Sequence, residues 1–151
     1  MKNATLIKIG IGVVLIGLFL FSIYLAVNNN AQKNVVVQDN LIAVQTSSGQ
    51  VQTKNFLKDF VEQSGNALAL AETQNYSIVY YKQDQVFYIT LLSKPLPDAL
   101  DAAEKAFMAK LGVDAGQACQ LKVVVRVPYS VDADSSGSDY SLSFCPSGKK
   151  L

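Results

Sequence analysis

Residues 76–112 read YSIVYYKQDQVFYITLLSKPLPDALDAAEKAFMAKLG, and this stretch decides the fold. Its first two runs, 76–82 and 86–92, are β-branched and aromatic and are split by Gln83, Asp84 and Gln85. Such side chains fit a pleated, half-buried surface, so the spacing predicts a β-hairpin. Alternation puts Phe87, Ile89 and Leu91 on one face of the second strand and Val86, Tyr88 and Thr90 on the other. A helix follows: Pro97 suits a first turn, where its missing N–H costs nothing, and Asp98 favours the positive end of the helix dipole. Leu100, Ala103, Phe107 and Leu111 recur three and four residues apart, as one buried helix face requires, and Gly112 ends the run. An amphipathic helix after a hairpin needs a sheet face to cover. The expectation is an α+β fold, a small antiparallel sheet with one or two helices packed on one face.

Working outward, Leu121, Val123, Val125 and Val127 alternate with Lys122, Val124 and Arg126, and Tyr140, Leu142 and Phe144 alternate with serines. These runs predict a second hairpin, with Val125 opposite Tyr140 and Val123 opposite Leu142. On the N-terminal side, Thr53 reads as the N-cap of a short helix whose apolar face is Phe56, Leu57, Phe60 and Val61, with Gly65 as its stop. Residues 67–71 alternate Ala and Leu and fit a strand or a further helical turn. Residues 35–37 and 41–44 are small β-prone runs that fit a strand or two against the main domain, and 46–49 is a Ser/Gly turn cluster. The expected order is helix-ββ-α-ββ, over a domain spanning 53–151.

Ahead of that domain, residues 9–27 read IGIGVVLIGLFLFSIYLAV and carry no charge. A bilayer core is crossed by about 20 apolar residues in helical form, because lipid leaves the backbone no other partner. This predicts a single-pass transmembrane helix in contact with the lipid bilayer. Lys2 and Lys8 precede the run, so residues 1–8 are expected in the cytoplasm and the C-terminal domain on the extracytoplasmic side. A cleaved signal peptide fits less well, since Tyr24 stands where a small residue belongs in a small-x-small site. Residues 28–52 are expected as linker and membrane-proximal segment.

Composition narrows the chemistry. The chain has 151 residues, a net charge of +1, and neither histidine nor tryptophan. Without histidine, the commonest general base and the commonest metal ligand are both missing. Beyond residue 35 acids slightly outnumber bases and Arg126 stands alone, a pattern that argues against nucleic acid as a partner. No glycine-rich phosphate loop, G-x-S-x-G or HExxH occurs, and the chain is not expected to be an enzyme. Asp98, Asp101 and Glu104 share one side of the predicted helix and read as a solvated charged face.

Three constellations remain. Cys119 and Cys145 flank the predicted second hairpin, and a disulfide there suits an extracytoplasmic domain. Register puts Pro146 opposite Cys119, so such a bond needs a bulge or a strand-end twist. Asp132, Asp134, Ser136 and Asp139 resemble the opening of a calcium loop, in which alternating oxygen ligands and a glycine turn wrap a hard cation. The closing glutamate is missing, because Ser143 holds its place, and a solvated Asp/Ser/Gly turn is the simpler reading. Tyr76, Tyr80, Tyr81 and Tyr88 cluster on the first hairpin. They read either as cross-strand packing or as a binding face for peptide or glycan.

The span 80–146 resembles small single-pass, membrane-anchored proteins of candidate-phylum bacteria. The likeness rests on Phe87, Ile89 and Leu91 in the strand and on Ala103, Glu104, Phe107 and Leu111-Gly112 in the helix. Cys119, Leu121, Pro128 and Ser143-Phe144-Cys145-Pro146 complete it. The resemblance implies the architecture and brings no activity. Function is therefore expected to be binding or assembly, through a protein partner or self-association, within a cell-envelope or surface complex. A pilin-like subunit is the alternative, although the processed-helix glutamate and the prepilin cleavage signal are missing. A surface-acting enzyme without a recognisable motif is the third.

Overall fold

In the computed structural model, which describes residues 40–151, seven strands and two helices follow one another among the described residues. They are β1 (Leu41–Thr46), β2 (Gly49–Lys54), β3 (Glu62–Ser64), β4 (Ala67–Glu72), β5 (Tyr76–Tyr81), β6 (Val86–Leu91), α1 (Leu96–Leu111), α2 (Ala115–Ala118) and β7 (Val123–Arg126). β1 and β2 make a two-stranded antiparallel hairpin, and the other five strands form one sheet in the order β3-β4-β5-β6-β7. All neighbours in that sheet are antiparallel except β6 and β7, which run parallel. The fold is α+β, with one antiparallel and one mixed sheet.

The β5–β6 hairpin and the helix stand where residues 76–112 put them. Ile78 pairs with Ile89 and Tyr80 with Phe87, so one parity of side chains points inward. Phe87, Ile89 and Leu91 are fully buried, as are Ala103, Phe107 and Leu111 of α1. Phe87 and Phe107 meet edge to face at 5.2 Å, the contact that seats helix on sheet. Asp98 lies in the first turn, and Gly112 closes the helix at φ 65°, donating its N–H to the Met108 carbonyl. That left-handed geometry favours glycine. The β1–β2 hairpin covers the rest of the same sheet face. Val44 and Val51 enter the core, and Lys54 Nζ donates to the Ala109 carbonyl at 3.1 Å, a cation at the negative end of α1.

Three expectations need correction. The helix starting at Thr53 is absent. Thr53 lies inside β2, buried, and donates its hydroxyl to the Ile42 and Lys54 carbonyls. Burial of Val51 and Thr53 against exposure of Gln50 and Gln52 follows period two, not 3.6. Of the four residues on the supposed helix face, only Phe56 enters the core, between Tyr80 and Phe87, while Leu57, Phe60 and Val61 are exposed. With nothing to cover, that spacing yields turns, and Gly65 serves the β3–β4 connection.

The second hairpin is reduced to one antiparallel bridge, Val125 with Tyr140, at the expected register. β7 instead finds its strand partner in β6, across the α1 crossover, which makes the sheet mixed where an antiparallel one was expected. Tyr140 and Leu142 are buried as their alternation implied, but beyond them the chain turns back, and Cys145 N–H donates to the Leu142 carbonyl. Finally, residues 41–54 form a hairpin that contributes to the core, so this part of the expected linker belongs to the domain. The expected transmembrane run 9–27 lies outside the described residues. Among those described, no helix is long and apolar enough to cross a membrane.

Candidate functional site: an open sheet face

Alternation gives the five-stranded sheet two unlike faces. The inner one carries Ile78, Tyr80, Phe87 and Ile89 beneath α1 and the β1–β2 hairpin. The outer one carries Val79 and Tyr81 from β5, Tyr88 and Thr90 from β6, and Arg126 from β7, which line an open groove together with Asp84 of the β5–β6 turn. The four predicted tyrosines are thus divided. Tyr80 is buried and Tyr76 packs beside the core, whereas Tyr81 and Tyr88 meet on the outer face at 5.5 Å, edge to face. Burial pushes the Tyr80 phenol above its ordinary 10.0.

Arg126 completes the outer cluster. Its guanidinium carbon lies 4.5 Å from the centre of the Tyr88 ring, within cation–π range. Asp139 holds it from the side, with Nε to Oδ1 at 2.6 Å and Nη2 to Oδ2 at 3.2 Å. This two-point pairing, chiefly through its hydrogen bonds, raises the Arg126 pKa and lowers that of Asp139. The result is an edge-to-face aromatic pair with a cation over one ring. Such a surface offers apolar area, polar tips and a positive charge at low cost in side-chain freedom. The alternation of 121–127 pointed to Arg126 as a strand residue but not to its place beside Tyr88. Only the parallel pairing of β6 with β7, which sets Val124 against Tyr88 and Arg126 against Thr90, brings them together.

The residues of the calcium reading are placed in one loop but turned to different partners. Asp132 accepts from Lys94 Nζ at 2.6 Å and, through its other oxygen, from the Ser135 N–H. The Lys94 hydrogen bond, with help from Ser135, holds that carboxyl below its ordinary value of 3.8. Asp139 serves Arg126, and Ser136 donates its hydroxyl to the Ala133 carbonyl. Tyr140 closes the loop by donating its hydroxyl to the Ser135 carbonyl at 2.9 Å. Among the described residues no three carboxylate or thiolate groups gather as a metal-holding set.

Cys119 and Cys145 are bonded, with Cα atoms 5.4 Å apart. The register conflict disappears because residues after Leu142 leave the strand direction. Lys150, which donates to the Leu142 and Cys145 carbonyls, helps hold them there, as does Glu104, which is not part of a solvated face but 5% exposed. Its two carboxylate oxygens accept from the Ser143 N–H and, at 2.6 Å, from the Ser143 hydroxyl. Its position at i+4 from Leu100 and one after Ala103 placed it at the border of the buried helix stripe, the one sign in the sequence that it turns inward. Asp101 stays on the surface, paired with Lys105.

No protein-family model, no curated protein and no solved structure matches the chain.

Proposed function

We propose that the chain is a membrane-anchored, extracytoplasmic binding or assembly domain, and that its contact surface is the open face of the five-stranded sheet. The observation that carries this reading is the asymmetry of the sheet. One face is closed by α1 and the β1–β2 hairpin, and the other presents Tyr81, Tyr88 and Arg126 as a pre-organised cluster. Aromatic residues and arginine are the side chains that carry most binding energy at protein interfaces, because they bury large area with few rotors. Anchoring through residues 9–27 would hold this surface near the envelope and raise its effective concentration toward partners there. The partner expected is a protein of the same envelope complex, or a further copy of the chain.

Chemical cross-linking of the full-length protein in native membranes, followed by mass spectrometry, tests the reading. It expects intermolecular links from Lys82, Lys94 and Lys122, which border the sheet, in excess over links from Lys105 on α1. Recovery of monomers only, or links confined to α1, would count against it.

A further inference from the structure

The turn end of the β1–β2 hairpin, away from residue 40, borders a second surface, and its chemistry differs from that of the sheet face. β1 starts at Leu41 opposite Lys54 and ends at the 46–49 turn, so this turn lies about 17 Å along the hairpin from the point of entry. There the β1–β2 turn, the β5–β6 turn and the segment after α2 converge on an open groove of about 450 Å³. Gln45, Gln83, Gln85 and Gln120 line it, from three separate parts of the chain, together with Asp84 and Lys122. Among the described residues no hydrogen bond engages the side-chain amides of Gln45 or Gln85. Gln83 accepts from Asn66 at 3.3 Å, and Gln120 donates to the Gly116 carbonyl at 3.5 Å, which leaves its amide oxygen without a partner among the described residues.

Gln85 supplies an independent observation. It is the one non-glycine residue with positive φ among the described residues, at 52°. Glycine or asparagine is the ordinary occupant of that region, and a longer side chain is disfavoured there. A backbone outlier that offers a long amide to a groove is a sign of use.

We propose that this groove binds a neutral oligosaccharide. Each glutamine amide carries two donors and two acceptor sites, and each sugar hydroxyl both donates and accepts, so the two sets match without a net charge. Asp84 and Lys122 contribute one charge of each sign, which gives an anionic polymer or a free cation no advantage. A lipid tail would leave the amides unpaired. A peptide adding as a strand would need a free sheet edge, whereas the groove is built from turns. The inference goes beyond the sheet-face reading and does not depend on it.

The test is a titration of the ¹⁵N-labelled full-length chain in a zwitterionic detergent without a sugar headgroup. Chitotetraose, cellotetraose and maltotetraose are added separately to about 10 mM, enough to saturate a millimolar site. At least one is expected to shift the side-chain amide signals of Gln45, Gln85 and Gln120 saturably. Gln85→Gly suits the left-handed backbone, so it keeps the fold while removing the amide. That variant and Gln120→Ala should each weaken binding about fivefold to tenfold, the worth of one or two hydrogen bonds. Three results would overturn the proposal: no shift with any of the sugars, shifts confined to the Tyr81 and Tyr88 region, or a response to tetraalanine in place of the sugars.

Discussion

Glu104 shows how one side chain can fix a whole segment. Both of its oxygens are spent on Ser143, one on the backbone and one on the hydroxyl, inside a nearly closed site. Glu104→Ala removes both hydrogen bonds to Ser143 and leaves space where the buried side chain stood, so it should destabilise by about 1–3 kcal/mol. Glu104→Gln keeps an acceptor for the N–H, and the hydroxyl can turn to accept from the new amide. Its cost should be about 1 kcal/mol. Urea unfolding of both variants checks the difference. Other single groups give the pH dependence. Asp132 and Asp139 have depressed folded pKa values, held down by Lys94 and Arg126. Their contribution is present above their unfolded value and is lost as pH falls through the lower folded one, so melting temperature should drop below about pH 4. Tyr80 has a raised folded pKa, so its contribution is present below its ordinary 10.0 and is lost as pH rises beyond that. Thermal melts across the acid and alkaline ranges check both signs. In the sequence the position of Glu104 at the border of the buried stripe was outweighed by the three acids on one helix side, which ordinarily mean solvent. Only the approach of Ser143 makes an inward carboxylate tolerable.

Among the elements, those with a strong local period were legible. Leu100, Ala103, Phe107 and Leu111 in α1 and the alternating faces of β5 and β6 stand as their spacing required, because each has one surface to hide and one to expose. Elements whose partners are distant were not. Phe56, Leu57, Phe60 and Val61 carry helical spacing, yet the chain there turns, since only Phe56 has a cavity to fill. The alternation of 121–127 marked a strand correctly but not its neighbour. A strand, a sixteen-residue helix and another strand form the length of a parallel crossover, and the serine-flanked Tyr140 offered a nearer, competing partner. The disulfide belongs to this scale as well, because it ties the end of α2 to the last turn of the chain. Replacing Cys119 and Cys145 together by alanine should cost about 3.5 kcal/mol by chain entropy, for a separation of 26 residues. Comparison of urea midpoints with and without reductant checks that figure, and the double variant should no longer respond to reductant.

At the scale of the whole molecule, the central feature among the described residues is a sheet with a core on one side and an open groove on the other. The tyrosine cluster was visible in the sequence, but its division was not. Parity alone left Tyr76 and Tyr80 against Tyr81 and Tyr88 without saying which pair faces the helix. The structure puts Tyr80 inside and Tyr81 with Tyr88 outside, and adds Arg126 from a strand far along the chain. A face of this make-up is suited to holding a partner. The most direct test is site-specific photo-cross-linking in native membranes. Benzoylphenylalanine replaces Tyr81 on the outer face in one sample and Lys105 on the opposite side in another. The account predicts a discrete adduct from position 81 that disappears when Arg126→Ala and Tyr88→Ala are added, and none from position 105. Equal labelling from both positions, or adducts from position 105 alone, would contradict it.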